Sequence, residues 1–188
     1  MKTVWRYLAV IGCVTGGAGR ADPLGLIDYD ALFAQHAAQA QPIDATRSVL
    51  RLGDISITRI DGTPQSYVGR DNSGHVAIGC FVDIIAQIEA AERACGHALS
   101  PSQQTSLEAY RRIALVAYGR NVQPATTLDA VHARYAALVA TSAADAGNSC
   151  QAADAFDAHA AQVLAPDGRA ALAASISAPR LPVADPCF

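Results

Sequence analysis

The sequence predicts an α+β fold: a small antiparallel β-meander beside a mainly α-helical up-down bundle, held by two disulfides. Three observations carry this. Period-two alternation with tight-turn signals runs from Arg47 to about Gly69. Apolar stripes at spacings of three and four follow Gly74. Four cysteines remain once a leader-like N-terminus is set aside, and even parity suits an oxidising compartment.

The leader comes first. Lys2 and Arg6 form a basic start, Tyr7 to Val14 a short apolar run, and Gly17-Ala18-Gly19-Arg20-Ala21 a small-residue end. Residues 1–21 are the expected signal peptide, with cleavage after Ala21 and Asp22 as the first mature residue. A lipobox-like Val10-Ile11-Gly12-Cys13 offers a minor alternative, lipid anchoring at Cys13. The run before Cys13 is short against the usual apolar core of about 7–15 residues. It is also shorter than the roughly 20 residues that a transmembrane helix needs, and no later segment qualifies. The expected location is periplasmic or secreted.

Removing 21 residues from 188 leaves 167, enough for a single domain with its own core. Within 22–188, residues 22–72 read as an N-terminal helix and meander, 73–178 as the bundle and 179–188 as an extended tail. The sole lysine is Lys2, so the mature chain sets eleven arginines against seventeen Asp and Glu, a net charge near −6. Nucleic acid is not expected as a partner of such a surface.

Leu26–Ala40 is expected as a helix with Leu26, Ile27, Tyr29, Leu32 and Phe33 on its apolar side, ended by Pro42. Ser48–Leu52 and Ile55–Ile60 flank Gly53-Asp54, a two-residue hairpin turn. Gln65–Gly69 is a third strand, placed at an edge or after Pro64 because proline lacks a donor. The first bundle helix is expected over His75–Ala94, with Ile78, Phe81, Val82, Ile85 and Ile88 as a wide stripe ended by Gly96. Ser100-Pro101-Ser102-Gln103 has the form of a capping box, and opens a second helix that Gly119 closes. Thr126 caps a third helix carrying Leu128, Val131, Tyr135 and Leu138. Asn148 or Ser149 caps a fourth with Phe156, Ala160 and Val163, and Arg169–Ile176 forms a fifth.

Cys80 and Cys95 share one predicted helix. At about 1.5 Å rise per residue they lie roughly 22 Å apart, and a disulfide needs Cα atoms within about 7 Å. In an up-down bundle the end of the first helix lies near the start of the fourth. The expected pairs are Cys95–Cys150 and Cys80–Cys187.

One loop is dense in polar residues and glycine: Gly69-Arg70-Asp71-Asn72-Ser73-Gly74-His75. It feeds a helix N-terminus, where an anion or carboxylate could bind with help from Arg70 and His75, and Arg70, Asp71, Ser73 and His75 are the candidate binding residues of this loop. The plainer reading is that Asp71, Asn72 or Ser73 caps the helix. A hydrolase built from Ser73, His75 and Asp71 lacks a nucleophile elbow. Asp154, Asp157 and His159 do not share the spacing a metal needs and read as a solvated face. Tyr67, on the possible edge strand, is a candidate contact for a partner that adds a strand. Tyr110 and Tyr135 lie on apolar stripes and belong to the core.

The chain has no Cys-x-x-Cys, P-loop or dinucleotide fingerprint, and no cofactor or metal is expected. No catalytic residues are assigned. The expected function is non-enzymatic binding by an exported protein, of an inhibitor or immunity type that captures a protein partner or small ligand. The rivals are a periplasmic enzyme with its site at the Arg70–His75 loop and an accessory subunit of an envelope complex.

Overall fold

The computed structural model describes residues 22–96, 99–146 and 153–187, without the side chains of residues 146 and 153–157. The expected signal peptide, Cys150 and the expected Asn148 or Ser149 cap lie outside the described residues.

The fold is α+β. Helix α1 (Tyr29–Gln35) and a 3-10 turn (Ala37–Gln39) lead into four strands: β1 (Gln41–Pro42), β2 (Arg47–Leu52), β3 (Ile55–Ile60) and β4 (Ser66–Asp71). Five helices follow: α2 (Ile78–Cys95), α3 (Pro101–Asn121), α4 (Leu128–Ala146), α5 (Ala153–Val163) and α6 (Pro166–Ser175).

The first helix is shorter than its apolar run. Asp28 caps it, accepting from Ala31 N at 2.8 Å. Leu26 and Ile27 stay outside because the Asp22 carboxylate takes their backbone N–H groups, at 2.5 and 2.7 Å. Their hydrogen bonds are thus satisfied without helix.

The strands form one antiparallel sheet in the order β1-β2-β3-β4, with Leu52 opposite Ile55 across Gly53 (φ 60°). That positive φ at Gly53 is what the two-residue turn requires. β1 adds a short fourth strand at the β2 edge, opposite Val49 and Ser48. Register places Leu50, Ile57 and Gly69 in one row, with Ile55 and Asp71 beside them, and all five are buried. The opposite face carries the row Val49, Thr58 and Val68, of which Val68 is exposed.

Helix α2 is the central element. Ile78, Cys80, Phe81, Val82, Ile85 and Ile88 are at most 2% exposed. A helix apolar on most sides must be covered on most sides. It packs against α3 and α4 and also touches α5 and α6. It begins at Ile78, three residues later than the periodicity suggests, because Ala77 is extended and donates to Pro186 C=O (3.2 Å).

The capping box forms as expected, with Ser100 accepting from Gln103 N and Gln103 Oε1 from Ser100 N. Helix α3 runs through Gly119 to Asn121. A Cβ at Gly119 would stand 3.2 Å from Val131 Cγ2, so this glycine serves close approach of α4 rather than termination. The cap of α4 falls on Thr127, whose Oγ1 accepts from Ala130 N, one residue beyond the expected Thr126.

The tail is a packed element. Leu181 and Val183 are buried, Gly79 N donates to Val183 C=O, and Asp71 N donates to Asp185 C=O. Cys80 and Cys187 form the expected disulfide, with Cα atoms 5.3 Å apart. Cys95 is also disulfide-bonded. Its expected partner Cys150 lies outside the described residues. No helix among the described residues is long and apolar enough to cross a membrane.

Candidate functional site

The residues of the Arg70–His75 loop go to different tasks. Asp71 is buried. Its Oδ1 accepts from Ser73 N (2.9 Å), and its Oδ2 lies 3.1 Å from Arg180 Nε. The Nε–H does not point at the carboxylate, so this contact is an ion pair without a hydrogen bond. Arg180 Nη2 donates to Ser175 C=O. Arg70 reaches Asp185 at 3.4 Å in solvent. Ser73 Oγ accepts from His75 through its backbone N–H (3.3 Å), and His75 is exposed. Ser73 and His75 thus meet through the His75 main chain, and both Asp71 oxygens are committed elsewhere. At the start of α2, the Ala77 and Gly79 N–H groups are taken by the tail.

Tyr67 lies on β4, which is the sheet edge, as the sequence suggested. The backbone available there is short. Asp71 N is bonded to Asp185, and Gly69 is buried. The Tyr67 side chain turns to the sheet's inner face instead. It stacks on Tyr29 with ring centroids 5.0 Å apart and meets Phe33 at 5.8 Å. Its hydroxyl donates to Asp30 Oδ1 and accepts from Gln65 Nε2, which also reaches Asp30 Oδ1 at 2.9 Å. Burial, followed by the Asp30 carboxylate, pushes the Tyr67 phenol up to about 12. Arg59 lies over the Phe33 ring at 5.2 Å and extends this aromatic cluster.

Tyr67 thereby forms part of the wall of a cleft of about 570 Å³. Three segments build it: the Asp22–Tyr29 stretch, the start of β4 with Gln65 and Ser66, and α4 with Arg134, Leu138 and Thr141. Arg134 and Thr141 are exposed, and Arg134 has no ion pair among the described residues.

The Asp22 stretch is shaped by its carboxylate. Besides Leu26 and Ile27, it accepts from Leu24 N (3.0 Å) and from the Tyr118 hydroxyl. Tyr29 and Tyr118 stand near it. Burial, then the Asp22 charge, raises both phenols far above their ordinary value. The Tyr29 hydroxyl is buried without a hydrogen-bond partner among the described residues.

Of the candidate binding residues singled out in the sequence, only Tyr67 belongs to this cleft. Arg70, Asp71, Ser73 and His75 sit at the opposite end of β4, around the tail. Asp22, Asp30, Gln65 and Arg134 were not legible as a group. Asp22-Pro23-Leu24-Gly25 is a turn signal, but nothing local marks Arg134. The side chains of Asp154 and Asp157 lie outside what the structure describes, and no cluster of metal-ligating groups occurs among the described residues.

The cleft offers an aromatic wall, an arginine unpaired among the described residues and the hydroxyls of Ser66 and Thr141. These are groups for recognition by stacking, charge and hydrogen bonding. Comparison with protein-family models, curated proteins and solved structures finds no match for this chain.

Proposed function

We propose that the chain is an exported, non-enzymatic binding protein, periplasmic or secreted, and that its ligand or partner segment enters the cleft between Asp22–Tyr29, β4 and α4. The cleft itself carries this reading. Its volume of about 570 Å³ falls in the range of about 300–1,000 Å³ common for ligand sites. On a chain that is net acidic, an arginine at such a cleft with no ion pair among the described residues favours a carboxylate or carbonyl on the ligand. The dispersal of Asp71, Ser73 and His75 supports binding over hydrolysis, since a nucleophile needs its base within hydrogen-bond reach.

The test is a thermal-shift screen of the mature chain against small carboxylates and short peptides, run in parallel on Arg134→Gln and Tyr67→Ala. Ligands of the cleft raise the melting temperature of the wild type and lose that effect in both variants. Ligands that act equally on all three, or that are turned over, overturn the reading.

A further inference from the structure

Asp22 is a buried carboxylate with no cation beside it among the described residues. It is 5% exposed, and it accepts from Leu24, Leu26 and Ile27 N–H and from the Tyr118 hydroxyl. No arginine or histidine pairs with it among the described residues. Hydrogen bonds to dipoles offset part of the cost of burying a carboxylate, but they bring no net positive charge.

Sequence and structure meet here. The small-residue pattern ending at Ala21 places leader cleavage immediately before this residue. Hydrolysis of the Ala21–Asp22 peptide bond by a peptidase consumes one water. The new carboxyl stays on Ala21, and the amine on Asp22 takes up a proton at neutral pH. That nitrogen is separated from the Asp22 carboxyl carbon only by Cα and Cβ, so no rearrangement of the chain can carry the new charge away. An ammonium beside a buried carboxylate is favoured.

We infer that leader removal stabilises the cleft: the α-ammonium of Asp22 is the countercharge of the buried Asp22 carboxylate, and it strengthens the Asp22–Ile27 turn that forms one wall. This rests on the export reading above. The uncleaved chain already forms this turn, and the processed chain holds it more stably.

The sign of the pH dependence follows from the charges around the cleft. The amine has an ordinary value of about 8, and its own carboxylate, close by in both states, favours the charged form more in the buried turn than in the solvated unfolded chain. Stabilisation is therefore complete below about pH 8 and lost as pH rises through the folded value. Arg134 on α4 opposes the shift and does not titrate in this window. Tyr29 on α1, Tyr118 on α3 and Tyr67 on β4 titrate above it.

The test compares purified chains beginning at Asp22, beginning at Ala21, and beginning at Asp22 with an acetylated amine, each with and without Asp22→Asn. At about pH 6.5 the free Asp22 chain melts several degrees above the other two. The gap closes by about pH 10 and is absent in the Asp22→Asn set. Equal melting at the lower pH, or a gap that survives Asp22→Asn, overturns the inference. If Asp22→Asn does not fold, the acetylated and free chains at the two pH values decide alone. Mass spectrometry of the exported protein separates the two readings. A first residue other than Asp22 overturns the processing site and leaves the coupling in the purified chains standing.

Discussion

Arg180, from the C-terminal tail, lies 3.1 Å from Asp71 at the end of β4, and both side chains are almost fully withdrawn from water, at 7% and 2% exposed. The two residues are far apart in the chain, yet this pair, with the Asp71–Asp185 backbone bond, fixes the tail against the sheet and the start of α2. Removing one partner leaves the other charge buried and uncompensated. Asp71→Leu and Arg180→Met are each expected to cost about 3–5 kcal/mol, whereas the two together should lie much closer to wild type. Urea unfolding of the three variants measures this. Additive losses in the double variant would show that the pair is not coupled.

Gly79 gives a test of opposite sign from helix propensity. In an open helix, Gly→Ala stabilises by about 0.5–1 kcal/mol. Here a Cβ would stand 2.5 Å from Val183 C=O and 2.7 Å from Pro182 C=O. Gly79→Ala is therefore expected to destabilise by about 1–3 kcal/mol through overpacking. A stabilised Gly79→Ala chain would mean that the tail does not sit on α2.

The Cys80–Cys187 bond spans 107 residues. A crosslink of that length restricts the unfolded chain by about 4–5 kcal/mol in the loop-entropy account. Cys80→Ser with Cys187→Ser should lose stability on this scale while far-ultraviolet circular dichroism stays native, because buried Leu181 and Val183 still anchor the tail. Loss of helical signal would instead make the bond a condition of folding.

Much of this fold was legible because its signals are local. Gly53-Asp54 placed the hairpin, Ser100 and Gln103 placed the start of α3, and the stripe from Ile78 to Ile88 marked the central helix. The exclusion of Cys80–Cys95 followed from helical rise alone. What escaped is non-local. Asp71 reads as a helix cap because its partner Arg180 lies in a remote segment. Gly119 reads as a terminator because the approach of Val131 cannot be seen in one helix. Pro42 reads as a helix stop, and its pairing in β1 depends on β2. The cleft joins three distant segments, and only Tyr67 carried any mark of it.

The five tyrosines from Asp22 onward, Tyr29, Tyr67, Tyr110, Tyr118 and Tyr135, all have raised phenols, burial being the first cause in each. A phenol raised in the folded state favours folding below its unfolded value of about 10 and loses that contribution as pH rises beyond it. Phenolate absorbance should therefore be delayed past pH 10 and appear together with unfolding as one cooperative step. Tyr118→Phe removes a donor from the Asp22 carboxylate and should cost about 1–3 kcal/mol. Five phenols titrating near pH 10 in a chain that remains folded would contradict the burial of Tyr29, Tyr118 and Tyr135.

The central claim is that the cleft between Asp22–Tyr29, β4 and α4 is where this protein binds. The most direct measurement is affinity capture from envelope extracts by the chain beginning at Asp22, Arg134→Gln and Tyr67→Ala, all first shown to be folded. Retained small molecules would be read by native mass spectrometry and retained proteins by peptide sequencing. The account predicts a specific molecule held by the wild type and lost by both variants. The same molecule held equally by all three would place the binding surface elsewhere and contradict it.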